Sequence, residues 1–460
     1  MDTQRLVSTK RKFKSTQLFL VAGAILISLL VSVLCIGLTV RYEVDTDTAD
    51  VESVPYWKLK LPPQQEIWYE KGIEELKSVI VKKEQRGEVE NVIIFIAEGV
   101  NSDMLSRARF MKQDNNIEIN HFIWDSFPHL GILKSSCSFE PTCDAFSLAT
   151  ALFGGVHTLK SLGGVDRRVN PRNCQQASND SFHISSIFKQ AKALNLRTGF
   201  VTTRRVTGPL VAALYAHTSD TNWECDGYIP DNLKAKCQDV ALQLIKSKEG
   251  RSINVVMGGG RQTLVSKVPV SNRSIIDESV CDSLDKRNLL KDWQSHKLSE
   301  NVSFKLVQTP RGLARLKGSL MDYVLGVFAN GDITDKGPNL TNMVMKSLDI
   351  LKRKDAGYLF VAETAVKSDE VKDFRKVLWD LDETIKETFK HPGFTPNNTI
   401  VLTAFLDLNH TAEAPNDIFL YAIGPQSYLF HGVHEETYMA HIISYYLKMG
   451  IFRTQAKSKN

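Results

Sequence analysis

Histidine, serine, cysteine and carboxylate side chains do chemistry only where they converge, so their spacing is read first. Eleven histidines occur in 460 residues, and none forms an HxxxH or HExxH pair that would put two ligands on one helical face. His431 and His434 lie in FHGVH, with His441 seven residues further on. Two of these could hold a metal, although a turn is the commoner setting for such a run. There is no GxSxG nucleophile elbow, and GGGR at Gly258–Arg261 lacks the GK[ST] of a phosphate-binding loop. Asp380, Asp382 and Glu383 read as the solvated face of a helix. Asp369 and Glu370 could bind a cation, but acidic residues opening a helix are equally explained by its dipole. Glu98 follows an apolar run and is either a ligand or a loop charge. Residue types and spacing alone identify no active site.

The elements that would position such residues are legible. Apolar runs NVIIFIA (from Asn91), TGFVTT (from Thr198), INVVMGG (from Ile253), GYLFVAE (from Gly357), NTIVLTA (from Asn398) and DIFLYAI (from Asp417) predict strands. They alternate with helical patterns such as SSIFKQAKAL from Ser185, DNLKAKCQDVALQLIKS from Asp231 and EVKDFRKVLWDLDETIKETF from Glu370. Nearly continuous apolar strands alternating with helices imply one α/β domain with a mostly parallel sheet covered on both faces. Ligands in such folds bind at the carboxyl ends of the strands. The residues to inspect are therefore Glu98, Arg204–Arg205, Gly258–Arg261, Glu363–Lys367 and Phe405–Asp407.

Composition bounds the class. The chain is 43% hydrophobic and 24% charged with a net charge of +5, and five basic residues fall within its first fourteen. The remainder is close to neutral, which argues against nucleic acid as a partner. Residues 18–40 carry no charge, enough helix to cross about 30 Å of hydrocarbon. Basic residues precede this run and acidic ones follow it, so 1–17 is expected in the cytosol as a basic tail. The run is longer than the h-region of a cleaved signal and ends in no small-x-small site, which favours a retained single-pass type II anchor. A stalk over 41–55, a main unit over 56–450 and a polar tail over 451–460 complete the expected organisation. That main unit would be extracellular or lumenal. Sequons at Asn179, Asn272, Asn301, Asn339, Asn397 and Asn409 and six cysteines beyond the anchor agree with a glycosylated, disulfide-bonded ectodomain.

Several collinear segments between about Tyr56 and Leu447 together resemble alkaline phosphatase. NVIIFIAEGV resembles the first strand and metal loop of that family, and TCDAFSLATALFGGVHT its nucleophile segment. RTGFVTTRRVTGPLVAALYAHTSDTNWECDGYIP, NVVMGGGR, GYLFVAETAVKSDE, NTIVLTAF and DIFLYAIGPQSYLFHGVHEETYMAHIISYYL continue the match in order. The resemblance implies a three-layer α/β sandwich around a large, mostly parallel central sheet. In family members a serine attacks a phosphate monoester between two zinc ions, an arginine clamps the phosphate, and a magnesium ion completes the centre.

Position by position, that chemistry has been removed. The nucleophile falls on Ala145, after Asp144, and a methyl group cannot attack phosphorus. The first-strand metal-bridging Asp falls on Glu98. Other zinc-ligand positions fall on Lys367, Val371, Phe405, Leu406 and Glu413, with His410 three residues from the last. The magnesium positions fall on Gly208, Leu210 and Ala362, with Glu363 one residue off. Zinc needs about four converging N, S or O ligands, so no metal cofactor is expected there. Arg205 matches the phosphate clamp and is expected to pair with Asp144 or Glu98, or to bind an anion. Lys367 is expected to pair with Glu98, an ammonium in place of a metal.

Other departures follow. The family's crown insertion is missing between Phe405 and Glu413, the auxiliary calcium position reads Phe328–Ala329, and the chain ends in polar GIFRTQAKSKN rather than a lipid-anchor tail. Cys174 and Cys237 match the family's disulfide positions; Cys137–Cys143 and Cys225–Cys281 are the simplest remaining pairs. The resemblance also implies a homodimer embraced by an N-terminal helix over Ile67–Val81. The expectation is a pseudoenzyme, a non-catalytic binding or scaffold ectodomain whose protein partner the sequence does not name. A hydrolase with a remodelled site using His410, Glu413 and Glu98, and a phosphate sensor retaining Arg205, are the alternatives.

Overall fold

In NVIIFIAE every residue of strand β1 (Asn91–Glu98) is buried. So are all eight residues of β7 (Tyr358–Ala365) and of β8 (Thr399–Leu406). Strands with no polar face have no stable place except the middle of a sheet covered on both sides. The computed structural model, which describes residues 87–112, 121–135, 144–270, 275–352, 356–367, 371–407 and 416–453, puts them there. The anchor run 18–40, the stalk, the Ile67–Val81 helix, Cys137, Cys143, Asn272, Asn409, His410 and Glu413 lie outside the described residues. All described residues belong to one compact unit, Glu84–Asn460.

The sheet has ten strands in the order β10-β2-β9-β8-β1-β7-β3-β4-β6-β5. The others are β2 (His129–Lys134), β3 (Arg197–Arg205), β4 (Val255–Gly259), β5 (Phe304–Val307), β6 (Tyr323–Val327), β9 (Ile418–Ile423) and β10 (Gly432–Glu435). Only β9 runs against its neighbours. This is the mostly parallel α/β sheet expected from the strand pattern. The short strands β2, β5, β6 and β10 escape a sequence reading because four to six residues carry too little pattern to separate strand from loop.

Alternation along the central strands divides the core into two layers. Val92, Ile94 and Ile96 face one side with Leu148 and Leu152 of the helix Ala145–Gly154 and Ile443 of the helix Tyr438–Tyr446. Ile93, Phe95 and Ala97 face the other side with Met104 of Ser102–Lys112, Val344 of Leu340–Leu351 and Phe374, Leu378 and Leu381 of Val371–Lys390. Helix, sheet and helix therefore form three layers.

Two readings of the helices need correction. The pattern from Asp231 yields a helix only over Val240–Lys246, because the Asp239 side chain accepts from Leu242 N and starts it there. Just upstream, Cys237 is held in a disulfide with Cys174, and a second bridge joins Cys225 to Cys281. Asp382 is not solvated. It is buried, accepting from Ile123 N at 2.6 Å and from Lys112 and Lys386 Nζ at 2.5 and 2.8 Å, and so ties Val371–Lys390 to the preceding layer. The sequon residues Asn179, Asn301, Asn339 and Asn397 are all exposed.

Candidate functional site

Parallel strands deliver their last residues to one edge of the sheet, and here that edge is densely charged. Glu98 ends β1, Arg204 and Arg205 end β3, Glu363 lies near the end of β7, and Asp332 sits in the loop after β6. The register pairs Thr202 with Glu363 and Ile96 with Glu363, so β7 lies between the other two and its carboxyl is flanked by theirs. Glu363 shares the parity of Leu359 and Val361, and Glu98 that of Ile94 and Ile96, so both point to the layer that holds the helix Ala145–Gly154.

Arg204 Nη1 donates to Glu98 Oε1 at 2.5 Å, and Arg204 Nε is 3.9 Å from Asp332 Oδ2. Arg205 forks onto Glu224, Nε to Oε2 at 2.9 Å and Nη2 to Oε1 at 2.7 Å, while its Nη1 donates to Asp332 Oδ1 at 2.9 Å. Thr207 Oγ1 also donates to Glu224 Oε2, at 3.1 Å. Lys367, more than half exposed, approaches Asp332 Oδ2 at 3.9 Å. Burial opposes the charge on both arginines, but Glu98 for Arg204, and Glu224 and Asp332 for Arg205, outweigh it and hold both guanidinium groups more firmly protonated than usual.

Glu363 is different. It is fully buried, and burial first, then the negative charge of Glu98, push its carboxyl well above the ordinary carboxylate range. Its Oε2 has no hydrogen-bond partner. The folded state therefore keeps a proton that the unfolded chain releases. The contribution is complete below the unfolded carboxyl's pKa and declines as pH rises through the folded one. Glu363→Gln is expected to flatten the fall of stability from pH 5 to pH 9, read as urea midpoints. Glu98→Gln, which strips Arg204 of its partner, should lower stability by about 2 kcal/mol at every pH. An unchanged pH slope in Glu363→Gln defeats this assignment.

Several expectations fall differently. Asp144 does not pair with Arg205. It caps the helix Ala145–Gly154, Oδ1 accepting from Phe146 N and Ser147 N at 2.9 Å each and Oδ2 from Ser161 N at 2.6 Å. Arg205 pairs with Glu224 and Asp332 rather than Glu98, and Lys367 approaches Asp332 rather than Glu98. Ala362 turns into the opposite core layer, so Glu363 is the β7 carboxyl that faces the site. Gly208 sits behind Arg205, donating its N–H to the Arg205 carbonyl at 2.8 Å, and Leu210 is buried. Val371 opens the helix Val371–Lys390. Phe405 packs in an aromatic cluster, its ring centroid 5.1 Å from Trp124 and 5.9 Å from Tyr421. Leu406, also fully buried, lies beside Glu98 in register. His434 donates from Nε2 to the His431 carbonyl at 3.1 Å, a turn contact and not a ligand pose.

Sequence inspection reached Arg204 but missed Glu224 and Asp332. Glu224 lies nineteen residues from Arg205 in an irregular segment, and Asp332 follows a strand too short to foresee. The only visible signal was the doubled arginine in TTRRV.

The two zinc ions and the magnesium implied by the resemblance do not fit these residues. Ala145, Phe405 and Leu406 offer hydrocarbon, and Lys367 offers a cation where a ligand is needed. Glu98 and Glu363 are a carboxyl pair, but the Arg204 guanidinium is already at hydrogen-bond distance from one and the other is held as a neutral acid. The arginine supplies the positive charge that a cation would bring.

Comparison with known proteins agrees with this architecture. The family model described as alkaline phosphatase matches residues 89–392. The chain is 30% identical over 324 residues to alkaline phosphatase 4 of Drosophila melanogaster, covering 66% of this chain and 54% of that protein. It is 29% identical over 319 residues to a membrane-bound alkaline phosphatase of Bombyx mori, covering 66% and 56%. The chain thus spans little more than half the length of these two relatives. Among solved structures, the alkaline phosphatase of the Antarctic bacterium TAB5 aligns with a TM-score of 0.57 at 17% identity, covering 80% of this chain and all of that one. The match over the body of the sheet, joined to the collinear motifs, assigns this chain to the alkaline phosphatase family.

Proposed function

We propose that this chain is an alkaline phosphatase-like pseudoenzyme. In this reading it stands on a single-pass type II anchor, with its glycosylated main unit on the extracellular or lumenal side, and acts as a homodimer by binding rather than by turnover. The observation that carries the reading is the internal neutralisation of the former centre. Arg205, the matched phosphate clamp, spends three donor atoms on Glu224 and Asp332, and Arg204 occupies Glu98. A dianionic phosphate would have to displace two carboxylates from a buried guanidinium and then find neither nucleophile nor metal. The paired charges preserve the fold where ligands once held ions. A protein named as membrane-bound among the relatives supports the membrane attachment.

The test uses the full chain purified in detergent. An aryl phosphate at alkaline pH should be hydrolysed no faster than by buffer, with added zinc and magnesium making no difference. Ala145→Ser should not restore turnover, because the nucleophile alone lacks its ions. Turnover that disappears in Glu98→Ala would establish a remodelled hydrolase instead.

A further inference from the structure

We propose that His157, Glu435 and Glu436 form a divalent-metal site of zinc type at the outer edge of the sheet. Each offers one ligand atom, and these atoms all lie within 4.8 Å of one another. Glu435 ends β10, and Glu436 follows it. His157 leaves the C-terminus of the helix Ala145–Gly154 after Gly155, whose φ of +69° turns the chain and leaves room for the His441 ring against its backbone. β10 lies four strands from β1, roughly 19 Å at about 4.8 Å per strand, so this cluster shares nothing with the arginine-filled centre.

Three observations favour an ion over a mere hydrogen-bonded pair. The first is spacing. His157 Nδ1 and Glu436 Oε1 are 3.2 Å apart, and bonds of about 2.0–2.1 Å in a tetrahedral zinc site put neighbouring ligand atoms about 3.3 Å apart. The second is an unmet acceptor. The Glu436 side chain is 1% exposed, yet its Oε2 has no hydrogen-bond partner, a costly state for a buried carboxyl. The third is the donor set. One imidazole and two carboxylates, with a water completing four, suit zinc and exclude the all-oxygen preference of calcium and magnesium. Burial already holds His157 toward its neutral, ligating form. Glu435, half exposed, needs only a side-chain rotation; Lys134 Nζ holds its Oε1 at 2.6 Å and leaves Oε2 for the ion. The histidines singled out in FHGVH were one step from the ligands: the two glutamates that follow supply them.

The test is calorimetric titration of zinc chloride into the chelator-stripped full chain in detergent, with thermal unfolding in parallel. We expect one equivalent, a rise in midpoint with added zinc, and at least a tenfold loss of affinity in both His157→Ala and Glu435→Gln. Both side chains are partly exposed, so the variants should keep the wild-type far-UV dichroism. No bound equivalent, or undiminished binding in both variants, overturns the site and leaves the inactive reading of the centre intact. Zinc lost in Glu98→Ala but retained in His157→Ala would place the ion in the central cleft and overturn both.

Discussion

Arg205→Ala is expected to lower the unfolding free energy by about 3–5 kcal/mol, the cost of removing one member of a buried ion network. The reason is what it leaves behind. Arg205, Glu224 and Asp332 are each less than 15% exposed as side chains, and without the guanidinium Glu224 keeps only the Thr207 hydroxyl. Asp332 would rely on Arg204 and Lys367, both 3.9 Å away. Arg205→Lys should recover part of the loss, because an ammonium keeps the charge but cannot fork onto Glu224. Urea unfolding at pH 7 measures both. A loss below about 1 kcal/mol in Arg205→Ala would be the value of an exposed pair and would show that the guanidinium is free to bind an outside anion.

Phe405→Asp should be more damaging still, costing about 5 kcal/mol or more by thermal or urea unfolding. This substitution restores the residue type that the resemblance implies at a zinc ligand. Truncating a buried Phe costs about 3–5 kcal/mol on its own, and placing an unpaired carboxylate among Trp124, Tyr421 and Phe122 adds a desolvation cost. The centre therefore cannot be rebuilt one residue at a time, since the vacated positions have been taken into the core. A Phe405→Asp chain that keeps wild-type stability would contradict this. Phe405→Leu, which keeps the hydrocarbon, serves as the milder comparison.

Both predictions bear on what kind of inactivation this is. Loss of a serine alone would leave a metal-loaded cleft. Here each lost ligand position is filled by something with a structural task, whether an aromatic packing layer at Phe405, a helix cap at Asp144, or a guanidinium between Glu98 and Asp332. Buried carboxylates left by departed cations would be costly, and the doubled arginine of TTRRV answers that cost from within the chain.

The long central strands were legible because their period and apolar content leave one solution, a parallel sheet covered on both faces. The loss of chemistry was legible too, since a methyl at 145 and hydrocarbon at 405 and 406 exclude nucleophile and ligand whatever the fold does. Register and partner choice were not legible. Ala362 or Glu363 is decided by which residue of β7 has the parity of Glu98's face, a one-residue question that sequence matching leaves open and the pleat settles. Arg205 could have met Asp144, but Asp144 is held by the backbone N–H groups of a helix it starts, and Glu224 and Asp332 reach Arg205 from segments 19 and 127 residues away. Composition and local pattern set the sheet and emptied the site. Only the tertiary arrangement decided how the remaining charges neutralise one another, because Coulomb pairing depends on distances that no local stretch of chain encodes.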